Sequence, residues 1–140
     1  MMFPKKGKRA PADTVKGMIG ILDKVFSEYV RRRDSNSGEY GACITCGQVF
    51  HWKEAHAGHY VTRNYYSTRW NENNVNLQCF KCNCTRGGEQ GLHGIAIDKK
   101  YGKGTAEMLQ AISRMPSIID REWLSFHIKF YREKIKKMKK

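Results

Sequence analysis

The sequence predicts a small α+β domain in which amphipathic helices flank a centre of short strands and loops. Three observations predict it. Apolar residues recur at positions 15, 18, 19, 22, 25, 26, 29 and 30, which is helical spacing with one broad stripe. From about Glu39 to Asn83 that spacing is absent, aromatic residues are frequent, and two Cys-x-x-Cys pairs occur. From Ile119 onward helical spacing returns, with Leu124, Ile128, Tyr131, Ile135 and Met138 separated by fours and threes.

A chain of 140 residues is one domain of ordinary size, able to bury roughly two thirds of its unfolded surface. Its 26 Lys and Arg against 13 Asp and Glu give a formal charge of +13. Such an excess points to a polyanionic partner, nucleic acid or an anionic membrane surface. No stretch approaches the roughly 18 apolar residues of a membrane span. The opening Met1-Met2-Phe3-Pro4-Lys5-Lys6 has no apolar run behind its charges, unlike a secretory signal. Membrane and secreted classes are therefore set aside, and a reducing compartment is expected.

Each segment has its reason. Residues 1–12, with four basic residues, two prolines and no acid before Asp13, read as a disordered basic arm. Residues 13–38 carry the N-terminal amphipathic helix. Asp13 or Thr14 can cap its start, Arg31, Arg32 and Arg33 suit its negative end, and Ser35-Asn36-Ser37-Gly38 breaks it. Residues 39–103 form the cysteine-bearing core, with a helix expected to start near Cys82 or Asn83 and to be weakened by Gly87-Gly88. Residues 104–140 are a C-terminal helical region with a basic tail: one helix over Ala106–Met115, stopped by Pro116, then the amphipathic segment Ile119–Lys140. The terminal 4,3,4,3 spacing lasts barely two heptads, so packing on its own domain is expected ahead of dimerisation.

Cys43-Ile44-Thr45-Cys46-Gly47 and Cys79-Phe80-Lys81-Cys82-Asn83 each place two sulfurs on a tight turn. Two such knuckles supply four thiolates in tetrahedral array, the pattern of a closed structural zinc site with no open coordination position. Zinc held this way contributes on the order of ten kcal/mol to folding, which lets a centre poor in aliphatic residues keep one shape. Cys84 breaks the Cys-x-x-Cys spacing and reads as a buried or free thiol. The 32 residues between the pairs are longer than a minimal zinc ribbon needs, and a functional insertion is expected there.

That insertion holds Glu54-Ala55-His56-Ala57-Gly58-His59-Tyr60 and Asn73-Asn74-Val75-Asn76-Leu77-Gln78. A His twenty residues before a Cys-x-x-Cys, an Asn five before its first Cys and an Asn directly after its second resemble an HNH, or ββα-metal, nuclease site. His59, Asn74 and Asn83 stand at the three signature positions. The zinc-knuckle form is similar to phage recombination endonuclease VII, a Holliday-junction resolvase. From about Leu22 to Gly102, phrases such as Ala57-Gly58-His59-Tyr60, Arg69-Trp70-Asn71-Glu72-Asn73-Asn74 and Gln78-Cys79-x-x-Cys82-Asn83 resemble the NinG (Rap) recombination proteins of lambdoid phages. The resemblance implies a zinc-stabilised ββα-metal (HNH) core with flanking N- and C-terminal helices. It also implies action on branched DNA such as Holliday junctions and D-loops, 5′-phosphate and 3′-hydroxyl products and, for a phage-encoded chain, the cytoplasm of a bacterial host.

The chemistry of the site is coherent with that resemblance. Neutral imidazole at His59 can take a proton from water. Mg²⁺ or Mn²⁺ would polarise the phosphate and stabilise the leaving oxygen. Asn83, bonded to ligand Cys82, offers a hard amide oxygen to that ion, and Asn74 is expected to orient His59 rather than touch metal. One residue departs from the HNH pattern: where a ligand, often Asp, precedes the general-base His, this sequence has Gly58. On an extended strand residue 56 shares the side of residue 58, so His56 is the expected replacement ligand. Glu54, of the same parity, and Glu89, from the following helix, are alternatives.

Arg63, Arg69 and Arg86 are candidate phosphate contacts, or else surface charges and partners of Glu72 and Glu89. Trp52, Tyr65, Tyr66 and Trp70 could stack on unpaired bases or fill the core. His51, His93 and His127 are assigned no role. The expected activity is a metal-dependent endodeoxyribonuclease acting on branched DNA, with a possible homodimer supplying two sites. The rival is a non-catalytic zinc-stabilised DNA-binding module, which Gly58 favours, and a third reading is an adaptor for other recombination proteins.

Overall fold

The computed structural model describes residue 7, residues 10–37 and residues 39–139. Most of the expected basic arm, and Gly38 of the expected helix break, lie outside the described residues.

Helix α1 runs Val15–Arg33. Of the two possible caps Thr14 is used, its Oγ1 accepting from the Gly17 amide at 3.1 Å. Arg31, Arg32 and Arg33 occupy the last turn, against the negative end of the helix dipole. The predicted stripe is the buried one: Leu22, Phe26, Tyr29 and Val30 face inward. The face that covers them comes from the other end of the chain. Helix α5, Arg121–Met138, is capped by Asp120, which accepts from the Trp123 amide at 2.8 Å. It lays Leu124, Ile128, Tyr131 and Ile135 on α1, with the Tyr131 ring edge-on to Phe26 at 4.9 Å. The C-terminal seam is thus used within the chain, while Met138 at its end stays exposed. Each fully buried aliphatic or aromatic side chain here contributes roughly 1.5–3 kcal/mol.

The centre holds two small antiparallel sheets. Strands β1 (Ser35–Asn36), β2 (Tyr40–Ala42) and β3 (Val49–His51) form the first, in that order. Ser35 and Asn36, expected only to break the helix, also pair with Gly41 and Tyr40. Their close return is possible because Gly41 lacks a side chain, whose Cβ would come within 2.4 Å of the Asp34 carbonyl oxygen. The β2–β3 turn is the first cysteine knuckle, with Gly47 at φ +78°.

Strands β4 (His56–His59) and β5 (Val75–Gln78) form the second sheet, pairing His56 with Gln78, Gly58 with Asn76 and His59 with Val75. Between them lies α2, Tyr66–Arg69, a single turn too short to show a period in sequence. After β5, the helix expected near Cys82 is one wide π-helical turn, Lys81–Thr85. Gly87, Gly88 and Glu89 all take positive φ, so the chain turns there and α3, Gln90–Tyr101, starts afresh. Helix α4 covers Thr105–Ser113, ending ahead of Pro116 and shorter than the expected Ala106–Met115. Ile97, Ala106 and Leu109 build a second small core against Ile44, Tyr60 and Val61. No helix among the described residues is long and apolar enough to cross a membrane.

Candidate functional site

The two knuckles converge. The Ile44 amide donates to the Leu77 carbonyl at 2.9 Å, tying the first knuckle to the strand that leads into the second. The sulfurs of Cys43, Cys46, Cys79 and Cys82 all lie within 4.8 Å of one another, Cys46 and Cys79 at 3.9 Å. A tetrahedron with zinc–sulfur bonds near 2.3 Å has edges of about 3.8 Å, so the cluster can hold zinc. All five cysteines are free thiols, and Cys43, Cys79 and Cys82 are buried. Burial pushes the Cys43 thiol up, but the Thr45 hydroxyl and the backbone amides of Cys46, Cys79 and Thr45 bring it down to about 6. Desolvation and the neighbouring thiols Cys43 and Cys79 push Cys46 up to about 12, against the pull of the Gln48 amide. Four thiolates this close need a cation among them to ionise together. Cys84 stands exposed outside the cluster, 4.0 Å from the His56 Nδ1.

Beside this cluster a cleft of about 530 Å³ opens between α1, β4 and the glycine turn. His56, His59, Arg63 and Asn83 line it, together with Asp23 and Gly88. His56 and His59, both on β4, and Asn83, twenty-four residues further on, therefore share one space. His59 is fixed by its Nε2, 2.9 Å from the Arg69 carbonyl oxygen. A carbonyl only accepts, so Nε2 carries the proton and Nδ1 keeps the ring's lone pair. Burial lowers the His59 pKa to about 4; the Arg69 carbonyl works against it, Arg63 with it. The ring is neutral at pH 7.

Asn83 and His56 meet, the Asn83 amide 3.2 Å from the His56 Nδ1. Neighbouring ligand atoms of an octahedral ion with bonds near 2.1 Å stand about 3 Å apart. Turned to present Oδ1, the Asn83 amide could stand with His56 as two such ligands. The alternatives fit less well: Glu54 is exposed, and Glu89 lies 3.7 Å from Arg86. Neither lines the cleft.

Asn74 touches neither His59's ring nor the cleft. Fully buried, it accepts from the Val61 amide at 2.8 Å and donates to the Val61 and Thr68 carbonyls at 3.0 Å each. Its own carbonyl accepts from the Tyr60 amide at 2.9 Å. It braces the loop that carries Arg69, and so holds His59 indirectly.

The three arginines differ. Arg63 is 60% exposed and lines the cleft. Arg69 is drawn into Asp23 by a two-pronged contact of 3.0 and 2.5 Å, leaving its carbonyl as the part that serves the site. Arg86 is half-exposed, outside the cleft, beside Glu89. Among the aromatics, Trp70 belongs to the core and Trp52 is buried under Arg31 and Arg32, whereas Tyr65 and Tyr66 are exposed.

Two further residues, given no role by the sequence, lie against these groups. Asp23 sits on α1, thirty-six residues before His59, yet binds Arg69 and accepts from the Trp70 indole at 3.0 Å. Gln78 is fully buried, its Nε2 donating to the Gly88 carbonyl at 2.8 Å. His93 is fully buried, both ring nitrogens without a partner among the described residues, and burial lowers its pKa to about 4, aided by His59 and Lys100.

The fold and the cysteine cluster define a small α+β protein built around a four-thiol centre able to hold zinc. The family model for the bacteriophage lambda NinG protein matches residues 4–140, and the chain belongs to that family. Membership suggests a role related to phage recombination. No curated protein and no solved structure matches the chain.

Proposed function

We propose that this protein is an HNH-type (ββα-metal), divalent-metal-dependent endonuclease that cuts branched DNA, such as Holliday junctions and D-loops, in phage recombination. One observation carries the reading: a neutral His59, with its lone pair on Nδ1, shares a cleft with the Asn83–His56 pair. His59 takes the proton of the attacking water at Nδ1. A buried ring that resists protonation is a weak base at rest; the phosphate anion entering the cleft raises its proton affinity, the direction general-base catalysis needs. Asn83 and His56 are the residues that would hold Mg²⁺ or Mn²⁺. When bound, the ion supplies charge neutralisation on the scissile phosphate and the leaving oxygen.

Arg63 contacts a phosphate oxygen at the cleft rim. Asn74 and Asp23 keep the Arg69 carbonyl on His59. The cysteine cluster, filled with structural zinc, fixes Asn83 through its bond to Cys82. With a charge of +13, binding runs mainly through phosphates, and recognition is of shape rather than base sequence. Symmetric cutting of a four-way junction needs two sites, so a homodimer forms on the junction.

Gly58 favours a second reading, a zinc-stabilised module that binds branched DNA without cutting it. A labelled four-way junction and a matched linear duplex, incubated with Mg²⁺, Mn²⁺ or chelator, separate the two. The nuclease cuts the junction in a divalent-ion-dependent way. Tight binding with no cleavage in any divalent ion establishes the module instead.

A further inference from the structure

Gly58 leaves the proposed ion with no ligand from the strand position before His59. Strand pairing shows what stands there instead. His56 lies opposite Gln78 and Gly58 opposite Asn76, so residues 56, 58 and 78 share one face of the hairpin. A Cβ built on Gly58 would lie 2.1 Å from the Gln78 Oε1 and 2.9 Å from the Gln78 Cβ and Cδ. The Gln78 amide oxygen thus fills the space into which a side chain at 58 would project.

That oxygen is anomalous. Gln78 is fully buried, and its Oε1 has no hydrogen-bond donor among the described residues. The amide cannot be reversed to cure this, because Nε2 donates to the Gly88 carbonyl at 2.8 Å and to the Thr45 hydroxyl at 3.3 Å. Gly88 lines the cleft with His56 and Asn83, so the amide sits one hydrogen bond behind the cleft wall. A buried acceptor left unpaired is costly unless a ligand completes it. An amide oxygen is a hard, neutral donor suited to Mg²⁺ or Mn²⁺.

We infer that Gln78 supplies, through Oε1, the divalent-ion ligand that Gly58 cannot, completing a set with Asn83 and His56. The inference rests on the nuclease reading above. It has a consequence: all three ligands are neutral, so the ion is held weakly until DNA phosphate adds charge, and metal and DNA bind together.

The test is Mn²⁺ binding to the full, zinc-loaded chain, followed by electron paramagnetic resonance with and without a non-cleavable four-way junction. Wild type binds Mn²⁺ more tightly with the junction present. Gln78→Ala weakens that binding by roughly tenfold or more while zinc content and helical signal stay unchanged. The exchange Gly58→Asp with Gln78→Gly moves the ligand to the neighbouring strand and recovers binding, which a purely structural role for Gln78 would not allow. Wild-type-like Mn²⁺ affinity in a zinc-loaded Gln78→Ala overturns this inference and leaves the nuclease reading standing. Absence of any Mn²⁺ binding by wild type overturns both.

Discussion

Asn74→Ala tests whether the Asn74 side chain braces the loop or serves the ion. Truncation removes three hydrogen bonds, one from the Val61 amide at 2.8 Å and two to the Val61 and Thr68 carbonyls at 3.0 Å. Each contributes about 1 kcal/mol net. Val61 is only half-buried, so water can replace part of its loss, and the Thr68 carbonyl keeps the Asn71 amide at 3.1 Å. The sum is about 2–3 kcal/mol, a large share of the roughly 5–15 kcal/mol that holds a domain of this size. Urea unfolding of the zinc-loaded protein at pH 7.5 measures it. Asn74→Asp keeps the shape but turns both donors into acceptors facing carbonyls, so it is at least as damaging. The folded fraction of Asn74→Ala binds Mn²⁺ like wild type, because the side chain is no ligand. A loss below 1 kcal/mol, or a selective loss of Mn²⁺ binding at unchanged stability, refutes the bracing role.

Three further outcomes are expected. Asp23→Ala frees the Arg69 guanidinium and the Trp70 indole and loosens the carbonyl that holds His59; it costs about 2–3 kcal/mol in thermal or urea unfolding, with cleavage reduced beyond the loss of folded protein. Acid destabilises the fold through His59 and His93, each with a pKa moved from 6.5 to about 4. The unfolded chain then binds more protons between those values, so stability is whole above pH 6.5 and falls through that window, by about 2 kcal/mol per histidine at pH 5. Replacing the unpaired His93 ring by His93→Leu shrinks the acid sensitivity seen in urea titrations at pH 7.5 and 5, and an undiminished loss contradicts the assignment. Cys79→Ser, or a strong chelator, removes zinc worth on the order of ten kcal/mol and collapses the central sheets, read as lost zinc by mass spectrometry and lost near-ultraviolet dichroism. Retention of a native signal without metal counts against the cluster as a zinc centre.

The helices were legible because their stripes repeat over many residues: Leu22, Phe26 and Val30 on one, Leu124, Ile128 and Ile135 on the other. Periodicity shows that each has a buried face but not that the two cover each other, since that pairing spans the length of the chain. The cysteine cluster was legible from spacing alone. Short elements were not: α2 is one turn, and the two-residue β1 depends on Gly41 admitting a close backbone. His59 and Asn83, singled out by motif, and His56, singled out by strand parity, line one cleft. Asp23 and Gln78 were missed for different reasons. Asp23 reads as an ordinary polar position on α1, and its contact with Arg69 is purely tertiary. Gln78 shares the face of Gly58, a signal available once β4 and β5 are known to pair. Arg69 illustrates the converse: an arginine beside the motif is attractive as a phosphate contact, yet its guanidinium is bound to Asp23.

The most direct measurement compares wild type with His59→Ala on a labelled four-way junction in Mg²⁺ or Mn²⁺, recording binding and single-turnover cleavage on the same samples. Metal-dependent cleavage by wild type, lost by at least a hundredfold in His59→Ala at equal junction affinity, is expected if His59 is the general base. Equal cleavage by both proteins, or tight binding with no cleavage by either, would contradict it.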